Sequence, residues 1–416
     1  MQISQNIWQF IKSTIPENLK VYLKFLYRRP ILLSILFHFR PLQLKKNQNN
    51  KKKVHIAFDL YMAQFGGLEQ VTLALIKSLK KKGDFKFYLF YTLIYEKSEL
   101  LDEFKKVGVE CIYVSQEEYF LDGWQKRSRL LIEITYNLSI DVFCFMYPPY
   151  DYEILPFIKT HNPKLKTVCW IHNYFQMDSN IAAIIKFNKY VDRVIVISDY
   201  FQKALAKKGR YAEVLFNGID LDYFDIKSIT KRNARALLKI PKEAFICVFI
   251  GRLDKNKNPL FILKLAKQMR NKGVLFLIIG TGILERKISD EIKKNNLADI
   301  VRLYKYQKDI RQFLAASNTL LLCSTKEGLG LVLLESMAMG NPPIASNFTG
   351  VDRIFTNGRH GFIVPLRVTS FVESIYKIKD DKNLYKMLAQ EGIKHVMKNY
   401  NIENMSKKFL DIIDHT

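Results

Sequence analysis

Several stretches of this chain set charged side chains beside glycines just after apolar runs, a pattern suited to anion and sugar binding. The run 245–250 passes directly into Gly251, Arg252, Leu253, Asp254, Lys255, Asn256, Lys257, Asn258 and Pro259. A glycine at a strand end lets the backbone approach a ligand. Arg252 and Lys257 offer two cations to a phosphate, and a helix beginning near Pro259 adds its positive end. Taken alone, the stretch also fits a polar surface loop in a lysine-rich protein. The run 274–279 ends in Gly280, Thr281 and Gly282, which resembles a phosphate loop only weakly, because a bare Gly-x-Gly is more often a tight turn. The richest stretch follows the run 319–323 and reads Ser324-Thr325-Lys326-Glu327-Gly328-Leu329-Gly330-Leu331, then on through Glu335 to Gly340. Gly328 and Gly330 free a loop whose amides can face a ligand at a helix start. Glu335 is the one carboxylate on an otherwise apolar helix, and an unpaired buried carboxylate is costly, so it needs a partner. Sugar and ribose hydroxyls, donating to Glu327 and Glu335, would supply one. A nearby base would serve Glu335 equally well, but it explains neither the glycines nor Glu327.

The elements that must position these residues are legible as short apolar runs alternating with helical patterns. Strands are expected at 54–58, 85–91, 141–146, 167–172, 193–198 and 213–216. A second series follows at 245–250, 274–279, 301–304, 319–323, 343–345 and 361–364. Such runs separated by helices indicate parallel sheets covered on both faces. Two in series make an α/β protein of two doubly wound, Rossmann-like domains, with ligands at the carboxyl ends of the strands in the cleft between them. The expected organisation is a basic arm over residues 1–53, a first domain over 54–224, a second over 225–395, and a final helix over 396–416 that crosses back.

Composition narrows the class. A chain of 416 residues exceeds one ordinary core. The five cysteines (Cys111, Cys144, Cys169, Cys247, Cys323) are scattered, with no Cys-x-x-Cys pair, which points to reduced core thiols rather than a zinc site or disulfides. The net charge of +25 raises nucleic acid, an anionic membrane or phosphate-bearing substrates as partners. Residues 1–53 hold eleven Lys or Arg against a single acid, Glu17. Within them, Leu19, Tyr22, Leu23 and Leu26 fall on one helical face. The apolar run 31–39 is too short to span a bilayer, which needs about 20 residues. The arm therefore reads as lying in a membrane interface, or else as packing on the domain that follows. No small-residue cleavage site of a secretory signal is evident, and with the reducing compartment that the scattered cysteines imply, the expected location is cytoplasmic, peripheral on the inner face of the cell membrane.

Taken together, the motifs resemble the family-four retaining glycosyltransferases of GT-B fold. The resemblance rests on Glu327 and Glu335 with seven residues between them, on Gly251 to Pro259, and on Asn217-Gly218-Ile219-Asp220. It extends to Gly66-Gly67-Leu68-Glu69 after the first strand, His172-Asn173 after another, and a last helix within 400–413. It covers residues 54 to 416 in order. The resemblance implies that Arg252 and Lys257 neutralise the donor's diphosphate, that Glu327 holds the transferring sugar, and that Glu335 binds the ribose. It further implies that Gly251, Gly280, Gly282, Gly328, Leu329, Gly330 and Leu331 line the donor pocket, that Gly66 and Gly67 approach the phosphates from the other domain, and that His172 contacts sugar or acceptor. It implies no metal and no cofactor beyond a UDP- or GDP-linked sugar as substrate. It also implies a glycan or lipid-linked acceptor in cell-envelope polysaccharide assembly, no side-chain nucleophile, and no nucleic acid. Asp220-Leu221-Asp222 spells a metal-binding Asp-x-Asp but follows Asn217-Gly218 at a domain boundary, and so reads as interdomain structure. Lys305 stands where the family frequently has glycine near the base. Residues 124–129 and 147–152 are expected as acceptor loops. The competing classes are a catalytically silent scaffold at a membrane, a basic nucleic-acid-binding protein, and a related epimerase or phosphorylase.

Overall fold

The computed structural model describes residues 53–63, 66–94, 99–114, 123–146, 152–172, 177–328 and 330–414. They form two parallel sheets, one after the other along the chain. The first contains β1 (Val54–Ala63), β2 (Phe85–Ile94), β3 (Glu110–Tyr113), β4 (Val142–Phe145), β5 (Lys166–Ile171), β6 (Arg193–Val196) and β7 (Glu213–Val214), ordered β3-β2-β1-β4-β5-β6-β7. The second contains β8 (Phe245–Ile250), β9 (Val274–Ile279), β10 (Val301–Tyr304), β11 (Thr319–Leu322), β12 (Pro343–Ser346) and β13 (Phe362–Val364), ordered β10-β9-β8-β11-β12-β13. Each order steps outward from a central strand, then returns and continues on its other side, as in doubly wound Rossmann-like folds. The unbroken apolar sequences of β8 and β9 follow from burial on both faces, since helices cover each side of a parallel sheet.

Several sequence expectations need correction. β3 was not anticipated, because it is a four-residue edge strand with both ends exposed and no continuous apolar run. β1 continues to Ala63 instead of stopping at 58, and β7 is confined to Glu213–Val214, where it pairs only with the end of β6. Residues 124–129, expected as a loop, belong to the helix Gly123–Asn137. Residues 147–151, Asn173, Leu329 and the basic arm up to residue 52 lie outside the described residues.

The helix Ile402–Asp414 ties the end of the chain to the first sheet. Its Phe409 is fully buried, stacked on Trp170 of β5 with ring centroids 5.6 Å apart and lying beside Phe58 of β1. The crossing is fixed by a two-way backbone bridge: Ile219 N–H donates to Tyr400 C=O, and Ile402 N–H donates to Ile219 C=O. Gly218 donates to Met405 Sδ at 3.0 Å, where a Cβ would lie 2.8 Å from the Ile402 backbone. Next to it, the Asp220 carboxylate accepts from the amides of Asp222 and Tyr223, each at 3.0 Å, so one acid of the Asp-x-Asp sequence closes a turn. Among the described residues, ion pairs that bridge the lobes include Lys308 to Glu103 at 2.8 Å and Arg353 to Asp199 at 2.5 Å. Among the described residues, no helix is long and apolar enough to cross a membrane.

Candidate functional site

The order of the second sheet reverses between β8 and β11, and the crevice beyond the carboxyl ends of such a strand pair is where open α/β sheets bind ligands. The loops that open there are 251–259 after β8 and 323–330 after β11, so the two charged stretches of the sequence become neighbours. Thr325 N–H donates to Asn256 C=O at 2.8 Å, joining the loops through their backbones. The Lys257 ammonium forms an ion pair with Glu327 Oε1, with the two side chains only 19% and 7% exposed. Asp254 holds the turn by accepting from Lys257 N–H at 2.9 Å. Arg252 is placed differently. Its side chain is 67% exposed and only loosely paired with Asp254, at 3.4 Å.

Gly330 begins the helix Leu331–Ala338 in the left-handed conformation, at φ +67°. That helix buries Leu333, Leu334, Glu335, Ser336 and Met337. Ser336 is accommodated by donating to Asn341 C=O at 2.9 Å. Glu335 has no hydrogen-bond or ion-pair partner among the described residues, and burial pushes its acid up to about 7. Gly280 and Gly282 are accounted for by loop packing. A Cβ on Gly280 would lie 2.0 Å from the Gly251 carbonyl oxygen, and one on Gly282 would lie 2.6 Å from that of Leu253. Lys305 is exposed just beyond β10.

The first lobe meets this surface at named points. A Cβ on Gly328 would sit 2.9 Å from the His172 carbonyl, and one on Gly67 would sit 3.1 Å from Leu331 Cδ1. His172 follows β5 with its ring 4.7 Å from Trp170, and neither ring nitrogen has a hydrogen-bond partner among the described residues. Burial drives its pKa down to about 3, so the imidazole is neutral. A neutral imidazole at a cleft can donate or accept one hydrogen bond.

Glu69, which the sequence reading gave no role, is 4% exposed in the first turn of the helix Gly67–Lys80. Desolvation pushes its acid up to about 7, while its own backbone amide and the charge of Arg252 from the opposite lobe act the other way. Gly66 leaves room for this carboxylate, since a Cβ there would fall 2.4 Å from Glu69 Oε2. The available signal was an acid three residues after a glycine at a helix start. The buried hydrogen bonds of Ser324 to Glu327 Oε1 and of Ser346 to the Ser324 carbonyl were also not anticipated, because a serine at a strand end looks like any other. A separate groove of about 710 Å3, between the last helix and the β6–β7 edge, contains none of the predicted residues.

Residues 230–395 match the family model of glycosyl transferases group 1. The chain is 29% identical over 206 residues to the UDP-Gal:alpha-D-GlcNAc-diphosphoundecaprenol alpha-1,3-galactosyltransferase of Escherichia coli, covering 48% of this chain and 53% of that one. It is 27% identical over 221 residues to the capsular polysaccharide biosynthesis glycosyltransferase CapM of Staphylococcus aureus, covering 50% of this chain and 57% of the relative. The matched region thus spans about half the length of these curated relatives. The crystal structure of Anabaena HepE in complex with UDP and glucose superposes with a TM-score of 0.72 at 16% identity, over 87% of this chain and 100% of that one. The fold is GT-B.

Proposed function

We propose that this GT-B chain, whose second lobe matches the group 1 glycosyl transferases, moves a hexose from a nucleotide-diphosphate sugar to a glycan or lipid-linked acceptor in cell-envelope polysaccharide assembly. The observation that carries the reading is the Lys257–Glu327 pair at the β8–β11 switch point, opposite His172 of the other lobe. An ammonium has three donors. One is committed to Glu327, leaving the others for a diphosphate oxygen, so the same pair reaches both the leaving group and the sugar. Arg252, exposed in the cleft, adds a second cation against the charge that develops as the glycosidic bond breaks. The mechanism needs no metal for this neutralisation. Glu335 accepts hydrogen bonds from the ribose hydroxyls, and the UDP-Gal named for the E. coli relative and the UDP bound in the Anabaena structure favour UDP.

The transfer proceeds with retention. The acceptor hydroxyl attacks the anomeric carbon from the face the nucleotide leaves, and the departing phosphate oxygen takes the hydroxyl proton. Neutral His172 accepts or donates one hydrogen bond to hold the sugar or acceptor. The reading includes a cytoplasmic protein held at an anionic membrane surface through residues 1–53, whose basic excess suits that surface.

Proton NMR of donor breakdown tests it. With UDP-glucose or UDP-galactose and no acceptor, slow turnover should release UDP with the α-anomer of the sugar appearing first. A β-anomer appearing first would overturn retention. No turnover and no donor binding by folded protein would leave a silent scaffold.

A further inference from the structure

Glu327 is held by more than Lys257. We propose that Ser324 is a positioning residue for Glu327, fixing one carboxylate oxygen so that the other faces the transferring sugar. This rests on the donor-site reading above.

β11 ends at Leu322, and Ser324 follows two residues later, only 1% exposed. Its hydroxyl donates to Glu327 Oε1 at 2.5 Å, the same oxygen that receives the Lys257 ammonium. Ser324 is in turn fixed from the neighbouring strand: Ser346, the last residue of β12 and 2% exposed, donates to Ser324 C=O at 2.5 Å. The result is a short relay, from Ser346 to the Ser324 carbonyl and from the Ser324 hydroxyl to Glu327, built on two adjacent strand ends. Both donors converge on Oε1, and Oε2 has no bond partner among the described residues.

The two donors are not equivalent. Lys257 is a long, rotatable cation that also has a diphosphate to serve. Ser324 has a single rotor on a buried strand end and cannot follow the ligand. When a donor draws the ammonium toward its phosphates, Ser324 keeps the carboxylate in its rotamer. A glutamate has three side-chain torsions to lose, and a catalytic group displaced by about 1 Å can cost about 100-fold in rate.

The test separates sugar positioning from folding and from nucleotide binding. The wild type, Ser324→Ala, Ser324→Thr and Ser324→Cys are titrated with UDP or GDP. Each is also titrated with whichever hexose donor the wild type binds from UDP-glucose, UDP-galactose and GDP-mannose, and donor turnover is measured alongside. Loss of a hydrogen bond to a charged group predicts that Ser324→Ala turns over about 10–100-fold more slowly. Its nucleoside-diphosphate affinity and melting temperature should stay near wild type, because the proposed site assigns Glu327 to the sugar and not to the nucleotide. Threonine should restore turnover to within a few-fold, while cysteine, of similar size but a weak donor, should behave like alanine. Turnover of Ser324→Ala within about 3-fold of wild type would overturn the assignment. So would a parallel loss of melting temperature and nucleotide affinity in both the alanine and cysteine variants, which would mark Ser324 as structural. A wild-type chain that binds no nucleotide sugar overturns the donor-site reading and this inference with it.

Discussion

Replacing Glu335 by glutamine should make the protein more stable at alkaline pH and leave it little changed at acidic pH. Glu335 is 7% exposed on an apolar helix and has no partner among the described residues, so desolvation alone raises its acid from the usual 4.5 to about 7. The unfolded chain ionises this group near 4.5, and the folded chain resists ionising it until pH reaches about 7. A raised acid therefore costs nothing below the unfolded value, and its penalty grows as pH climbs through the window from 4.5 to 7. Above pH 7 the penalty levels off at about 3 kcal/mol, an upper figure because water entering the cleft would reduce it. Glutamine has the same shape and no charge. Any cost of its buried amide is constant with pH and cancels in the comparison. Chemical denaturation at pH 5 and pH 8 should show the stability difference between variant and wild type shifting by about 2–3 kcal/mol in favour of the variant. Glu69, also raised to about 7 by burial, stays in both proteins and drops out of the difference. Parallel stability–pH curves for wild type and Glu335→Gln would show the carboxylate solvated or paired, and the argument that it awaits ribose hydroxyls would lose its premise.

If Lys257 faces the leaving diphosphate as proposed, Lys257→Ala should lower kcat by about 10²–10³, since it removes a preorganised cation and also frees Glu327; steady-state donor turnover measures it. Lys308→Ala and Arg353→Ala, which each break an ion pair between the lobes, should each cost no more than about 1 kcal/mol, seen as a modest, salt-sensitive rise in donor KM with kcat unchanged. Gly280→Ala should destabilise the protein by well over 1 kcal/mol, measured by thermal melting, because its Cβ would collide with the Gly251 carbonyl at 2.0 Å and no flexible side chain is there to yield.

How much the sequence revealed followed from how local each signal was. β8 and β9 were readable to the residue because strands buried on both faces are written as unbroken apolar runs bounded by turns. β3 carries no such run, and its pairing with β2 is a property of the sheet rather than of its own four residues. The charged residues of the cleft could be found because they sit at strand ends beside glycines. Their partners could not. The Lys257–Glu327 pair joins residues 70 apart, and only the adjacency of β8 and β11 brings them together. Glycine was legible as a requirement but not as to cause: the Gly-x-Gly at Gly280 and Gly282 resembled a phosphate loop only weakly and a tight turn more, and the structure shows two loop backbones pressed together there. The stacking of Phe409 on Trp170, which fastens the last helix to the first lobe, likewise leaves no trace in local sequence.

The most direct test of the central claim, that the cleft beyond β8 and β11 takes a nucleotide sugar, is calorimetric titration of the full chain. Wild type and Glu335→Ala would each be titrated with UDP-, GDP-, ADP- and CMP-linked sugars. The account predicts that wild type binds one nucleotide class, with UDP first among them, and that the variant binds it at least about 10-fold more weakly, as expected when a charged hydrogen-bond acceptor is lost. Binding of none of them by folded wild type, or equal binding by the variant, would contradict it.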